Sequence, residues 1–398
     1  MNRPTGPFSG LAIVDLTRVL AGPFCTLMLA ELGARVIKVE PPEGDDARAF
    51  GPFVGGQSSY FVSLNRGKES IALDLKAADD RRIFDALLAR ADALVENFRP
   101  GVMDKLGYGW PSLQARFPRL IYAAISGFGQ TGPLRQRAAY DMVAQAMSGV
   151  MSLTGHPGGP PVRAGVPIGD LGAGLFMALG LSSALYHRER TGQASMIDVA
   201  MLDGQIALLE NAVVRYAATG TVPGPLGARH PTIAPFSAFA AADGYIVIAA
   251  GNDDLFRRLS SAIGRPELTK DARFASNALR VDHVDALTVE IERSLANRTV
   301  DAWFSAIDAA GVPCSRVNDI AQALAEPQVK ARNMAVSLDD PTAHGLVLAG
   351  NPIKLSAFAD STTRPPAPGL DQNRAAILRE FGLGHDRSVL NHRVQDRS

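Results

Sequence analysis

A chain of 398 residues has room for roughly two or three domains and a large buried core. Its 40 basic and 40 acidic side chains cancel, leaving no net field to draw it to nucleic acid or an anionic membrane. Only two cysteines, Cys25 and Cys314, are present, which excludes a disulfide framework and suits a reducing cytoplasm.

The start, MNRPTGPFSG, lacks the apolar core of a signal peptide. Next, LAIVDLT (11–17) predicts a strand, AGPFCTLMLAELGA (21–34) a helix with proline in its first turn, and RVIKVE (35–40) a second strand. SIALDL (70–75) predicts another strand and KAADDRRIFDALLARA (76–91) an amphipathic helix; DALVENF (92–98) and RLIYAAISGFG (119–129) continue the alternation. Strands alternating with helices predict an α/β fold with a doubly wound, mostly parallel sheet, whose ligands sit beyond the strand carboxyl ends. No GxGxxG or GxxxxGK[ST] follows any of these strands, so neither a dinucleotide nor a P-loop reading gains support. Residues 171–185 are apolar but rich in Gly, Ala and Ser, which suits a tightly packed core helix rather than a membrane span.

The composition changes near residue 220. TGTVPGPLGARHPTIAP (219–235) reads as a Pro/Gly-rich linker, and FSAFAAADGYIVIAAGN as a hairpin with Asp243-Gly244 at its turn. Helical patterns then run to about residue 330. The expected organisation is a large domain beginning with residues 1–218, a linker over 219–235, and a smaller α+β domain over 236–330. Residues 331–398 form a return linker and the C-terminal part of the large domain. Within the return, 351–370 reads as extended and DQNRAAILREFGL as a final helix.

Catalytic signals are few. The seven histidines form no HxH or HExxH pair, and neither cysteine has a nearby metal partner, so no metal site is expected; there is no GxSxG elbow. HDRSVLNH near the C-terminus reads as a solvated end. Asp170, in VPIGDLGAGLFMALGL, admits two readings. It can cap the helix that follows, the commoner role of such a residue. It can also be a nucleophile, because the small residues around it leave room for an acyl group. A carboxylate with an ordinary pKa near ~4 is ionised at neutral pH without a partner base.

Six phrases taken together shift that balance. LAIVDLTRVLAGPFCTLMLAELGARVIKVEPPEGD, NRGKESIALDLK, ADALVENFRPGVMDKLGYGW, LIYAAISGFGQTGP, YDMVAQAMSGVMSLTG and GDLGAGLFMALGL occur in order. They closely resemble the family III CoA-transferases, the group that includes formyl-CoA transferase, carnitine-type CoA-transferases and α-methylacyl-CoA racemase. The resemblance implies that Asp170 attacks an acyl-CoA thioester and carries the reaction through an aspartyl anhydride and an aspartyl-CoA thioester. It also implies an interlocked homodimer, with coenzyme A as a substrate moiety and no permanently bound cofactor. Carried over by position, the CoA contacts are Val19, Leu20 and Ala21, then Leu73 and Lys76, then Asn97, Phe98, Arg99 and Lys105. Lys76, Arg99 and Lys105 suit phosphates, while Phe98 can instead be a core aromatic. Tyr140 and Asp141 fall at the substrate.

The departures narrow the chemistry. Tyr140 stands where the racemases have their histidine, so α-proton exchange is not expected. Leu20 replaces the glutamine of formyl-CoA transferase, and GARHP (227–231) replaces its run of glycines, which argues against an oxalate/formate reaction. Pro41 replaces a basic position on the adenine side. Arg229 and His230 offer a clamp for the distal carboxylate of a dicarboxylic acyl group, unless Arg229 pairs with a carboxylate of its own chain. The phrase resembles members that use succinyl-CoA with small dicarboxylates such as malate, mesaconate, itaconate, citramalate or 3-hydroxy-3-methylglutarate. The alternatives are transfer to another acid, carnitine-like or oxalate/formate, and a non-catalytic acyl-CoA-binding subunit.

Overall fold

The structure, a computed structural model, describes residues 5–343 and 345–383. His385 and His392, in the stretch read as a solvated end, lie outside the described residues. Short, largely apolar runs form six strands: β1 (Ala12–Asp15), β2 (Arg35–Glu40), β3 (Glu69–Ala72), β4 (Ala93–Glu96), β5 (Ile121–Ser126) and β6 (Met196–Ala200). They pair in the order β3-β2-β1-β4-β5-β6, every pair parallel. The order reverses between β1 and β4, and in doubly wound sheets that point opens a crevice beyond the strand carboxyl ends.

Alternate residues of the strands feed two cores. Ile13, Ala93, Val95, Ile121, Ala123 and Ile125 face the Ala21–Glu31 and Ile168–Thr191 helices. Val14, Leu94, Tyr122 and Ala124 face the Ala78–Leu88 and Trp110–Arg116 helices and Ile377 of the closing Arg374–Glu380 helix. The 24-residue Ile168–Thr191 helix is, among the described residues, the one whose length and composition would also suit a membrane crossing. Here Ala173, Met177 and Leu181 are buried in the sheet's core. Gly174 lets this helix press on its neighbour, because a Cβ there would stand 2.7 Å from the Ala21 carbonyl oxygen. At the far end Arg188 is buried and pairs with Asp92 at 2.8 Å.

Contacts divide the chain into two units. Of the described residues, the larger holds those from 5 to Met151, Arg163–Thr221 and those from Pro327 to 383. Its returning segment is tied in by polar bonds: Arg364 meets Glu31 at 2.7 Å, and Asn373 and Asp371 accept the backbone N–H groups of Ser70 and Ala72 in β3. The smaller unit comprises Ser152–Val162 and Val222–Glu326. Its antiparallel sheet pairs β7 (Phe236–Ala240), β8 (Tyr245–Ala249) and β9 (Cys314–Arg316) in the order β9-β8-β7. Phe239, Ile246, Ile248, Phe256, Ile291 and Trp303 build its core. Residues 152–162 differ from the sequence reading, which leaves them in the large domain. The Gly227 N–H donates to the Gly155 carbonyl, and a Cβ on Gly227 would lie 3.2 Å from His156 Nδ1, so this stretch packs on the 227–231 loop.

Candidate active site

The turn after β1 is held in an unusual conformation. Val19 has φ +66°, a region that a β-branched residue enters only under constraint. Asp45 supplies one constraint by accepting the Val19 N–H at 3.1 Å. Asn97, beyond β4, supplies another: its Oδ1 accepts the Arg18 N–H at 2.8 Å and its Nδ2 donates to the Arg18 carbonyl at 2.9 Å. Beneath the turn lies a buried ionic cluster. Lys38 Nζ stands 2.8 Å from Asp45, and Lys68 Nζ 3.1 Å from Asp15, with Thr26 and Asn65 also bonded to Lys68. Burial works against the Asp15 anion, yet Lys68, Lys38 and the Thr17 and Thr26 hydroxyls together hold its carboxyl down at about 2.

Asp170 stands in the first turn of the Ile168–Thr191 helix, after Pro167 at the cap position. The capping role considered from sequence is not what it performs. No donor among the described residues bonds its carboxylate, and the helix has no side-chain cap at Pro167. The free N–H of Gly169 is taken instead by Asp141 Oδ1, at 2.8 Å from the first residue of the Asp141–Ser148 helix. Asp141 Oδ2 accepts from Gln145 Nε2 at 2.7 Å, and Gln145 Oε1 accepts the Ala164 N–H. Ser148 and Gln205 complete a buried polar floor, the Ser148 hydroxyl donating to Gln205 Oε1 at 3.2 Å. Gly169 is small by necessity, since a Cβ would stand 2.6 Å from Gln205 Nε2 and 3.0 Å from Asp141 Oδ1.

Nor is Asp170 the ordinary carboxylate expected near ~4. Burial, reinforced by the negative charge of Asp141, pushes it up to about 7. The Tyr60 phenol, half-buried, is pushed up to about 12 by burial and then by Asp170, Asp45 and Asp141. It therefore stays protonated within electrostatic reach of both carboxylates. Glu96 makes a useful contrast. Burial lifts it to about 7 as well, but both its oxygens have donors, the Phe98 N–H and the Tyr122 hydroxyl. It borders a cavity of about 240 Å³ lined also by Trp110, Gln130 and Arg99. Both oxygens of Glu96 are thus committed to the fold, whereas the Asp170 carboxylate has no donor among the described residues.

The other residues singled out from sequence divide by environment. Lys76, Arg99 and Lys105 are exposed and form no ion pair among the described residues. Leu20, Ala21 and Leu73 are buried, and Phe98 packs against the core. Asn97 is occupied with the 17–21 turn. Tyr140 is 78% exposed, whereas Asp141 beside it is buried and turns both oxygens to the protein. In the small unit Arg229 does pair with its own chain, meeting the exposed Asp285 at 3.0 Å. His230 Nδ1 accepts the Thr232 N–H and its ring lies 5.2 Å from that of Phe236. Sequence reasoning missed Tyr60, Gln145, Ser148 and Gln205. Their one legible signal is polar residues on otherwise apolar helical stretches. Among the described residues no group of three His, Cys, Asp or Glu side chains is arranged to hold a metal ion.

The CoA-transferase family III model matches residues 8–374. The chain belongs to that family. It is 50% identical over 381 residues to an acetyl-CoA:oxalate CoA-transferase of Acetobacter aceti, covering 95% of this chain and 97% of that one. It is 38% identical over 385 residues to a human succinyl-CoA:glutarate CoA-transferase, covering 96% and 88%. The crystal structure of a CAIB/BAIF family protein from Brucella suis superposes with a TM-score of 0.84 at 41% identity, over 95% of this chain and 100% of that one. The family III CoA-transferase is thus an enzyme built on a mixed α/β fold with a large parallel sheet.

Proposed function

We propose that this enzyme transfers CoA between small dicarboxylic acids, with Asp170 as the covalent carrier, in the cytoplasm and as a homodimer. What supports the reading is the Asp170 carboxylate itself: half-buried, free of donors, beside small residues and close to neutrality in its titration. An Asp170 oxygen attacks the thioester carbonyl of the donor, the C–S bond breaks, and CoA leaves as its thiolate. The thiolate then attacks the Asp170 carbonyl of the mixed anhydride, which releases the donor as its carboxylate and leaves aspartyl-CoA. The acceptor carboxylate attacks that thioester, and the same steps in reverse release the new acyl-CoA and the Asp170 carboxylate. Each step keeps the acyl group activated, provided water is excluded.

For CoA we assign the main chain at Val19, Leu20, Ala21 and Leu73, the half-buried Asn97 and Phe98, and the unpaired cations Lys76, Arg99 and Lys105 for its phosphates. Tyr140 suits the acyl group. For the second carboxylate we assign Arg229 and His230. The Arg229 partner, Asp285, is almost fully exposed, and such surface pairs are weak enough for a substrate carboxylate to displace. Succinyl-CoA is the preferred donor in this reading. A second reading, acetyl-CoA with oxalate, draws support from the 50% identical relative, despite Leu20 and the GARHP loop. Both readings share a dicarboxylic acceptor.

The test pairs each donor, succinyl-CoA and acetyl-CoA, with oxalate, glutarate, mesaconate, itaconate, malate and citramalate, and follows the CoA products by mass spectrometry. Protein quenched in the presence of donor is treated with hydroxylamine and its peptides are mapped. The expected results are one preferred dicarboxylyl-CoA product and modification at Asp170. An unmodified Asp170 peptide, with normal turnover in Asp170→Ala, refutes the carrier role. Absence of any CoA exchange would indicate a binding subunit instead.

A further inference from the structure

The carboxylate that takes the Gly169 N–H sits where a long helix presents its unpaired, positive end. Without it, that end would favour the anion of Asp170, which lies on the next residue of the same first turn. A stabilised anion is a poor nucleophile and a reluctant acyl acceptor. Asp141 occupies the position with a full negative charge and is held there at both oxygens, by the Gly169 N–H at 2.8 Å and by Gln145 Nε2 at 2.7 Å. Its clamp is itself fixed: Gln145 is fully buried and its Oε1 accepts the Ala164 N–H at 2.9 Å. Close packing through Gly169, where no Cβ fits beside Asp141 Oδ1 and Gln205 Nε2, leaves no slack between the two helices.

We propose that Asp141 is a positioning residue that holds the Asp170 helix terminus by the Gly169 N–H and, through its fixed negative charge, destabilises the Asp170 anion relative to its acylated forms. The proposal rests on Asp170 being the covalent carrier. Acylation turns the Asp170 carboxylate into a neutral anhydride or thioester, so it removes one of two neighbouring negative charges from a half-buried site. Asp141 thereby favours loading of the enzyme without touching the substrate. Among the described residues, Tyr60, held protonated, lies within electrostatic reach of both carboxylates, and Asp45, which also acts on Tyr60, is paired with Lys38.

The decisive variant is Asp141→Asn. It keeps an oxygen for the Gly169 N–H, removes the charge and sets an amide donor against Gln145 Nε2, while Asp141→Glu keeps the charge and both acceptor oxygens but alters the reach. Two readouts separate electrostatics from structure. The first is the pH dependence of the succinate burst that accompanies aspartyl-CoA formation on mixing with succinyl-CoA. In wild type its acidic limb is expected near neutrality, since burial and Asp141 push Asp170 up to about 7. In Asp141→Asn it moves to lower pH by roughly half a unit or more, burial still holding Asp170 above its ordinary value. The second is the fraction of enzyme present as aspartyl-CoA at saturating donor, by intact-protein mass, which falls several-fold in Asp141→Asn and recovers in Asp141→Glu. A folded Asp141→Asn enzyme with an unchanged acidic limb and an unchanged loaded fraction overturns the proposal. If Asp141→Asn does not fold, Asp141→Glu decides, since loss of loading despite the retained charge would make the residue purely structural. Wild-type enzyme that shows no aspartyl-CoA at all refutes the carrier reading, a result distinguishable from either of these.

Discussion

Asp170 is unfavourable to ionise where it stands, and that has a measurable consequence for stability. Its carboxyl is raised from about 3.8 to about 7 in the folded protein. Between those values the folded state binds a proton that the unfolded state has lost, so stability falls as pH rises through that window. Below about pH 4 the penalty is absent, and above about pH 7 it is fully present. Asp170→Asn should therefore raise the unfolding free energy by roughly 1–3 kcal/mol at pH 8, the full linkage being discounted for partial exposure. At pH 4 it should change little. Urea titrations of both proteins at the two pH values test this, and an equal effect at both would contradict the raised pKa. At this scale the sequence singles out Asp170 but not its environment. Asp170 is legible from its family phrase. The charge that perturbs it comes from a different helix, and a glutamine such as Gln145 reads the same whether it lies buried under a carboxylate or in water.

Among the elements, the strands were the most legible, because β1, β2, β4 and β5 are short, largely apolar runs alternating with helical patterns. β2 matches its expected bounds, and the Ile168–Thr191 helix declares itself through its small, apolar repeat. Less could be read where an element's partner lies far along the chain. The Phe53–Val54 and Gln57–Ser58 hairpin is too short for a periodic signal, and β6 gains its place only by pairing with β5. The buried cluster under the first strand–helix turn is of the same kind. Lys38 and Lys68 look like surface lysines, yet both side chains are wholly buried. Replacing Lys68 with methionine keeps the aliphatic stem but leaves Asp15 without its nearest cation in a dry site. Breaking a buried pair in this way costs roughly 3–5 kcal/mol. Chemical denaturation of Lys68→Met should show that loss, and the Val19 turn above it should become more protease-sensitive. A loss below about 1 kcal/mol, the scale of an exposed pair, would mean that water reaches the cluster.

For the whole molecule, two apolar surfaces of the large unit lack cover in a single chain. Leu175, Leu179 and Tyr186, spaced along one stripe of the Ile168–Thr191 helix, are exposed, as are Val213, Val214 and Tyr216 on the Glu210–Thr219 helix. Large exposed apolar patches mark interaction surfaces more often than chance does. The chain also leaves the large unit at Thr221 and returns to it at Pro327, with stretches at 220–235 and 351–362 that have neither helix nor strand. Composition foretold those stretches, because proline and glycine break both periods; it carried no direct sign of the two stripes, whose exposure depends on which helix faces are already packed. A second copy of this chain is the partner we expect on these surfaces, threaded so that each chain passes through the other. Two chains that thread each other cannot part without unfolding, whereas an ordinary dimer obeys mass action. The mass should accordingly remain dimeric on dilution to nanomolar concentration, and two differently tagged preparations mixed under native conditions should form no mixed dimers. Mixed dimers should appear only after joint unfolding and refolding. Monomers on dilution, or prompt exchange of tags without denaturant, would rule out the threaded arrangement.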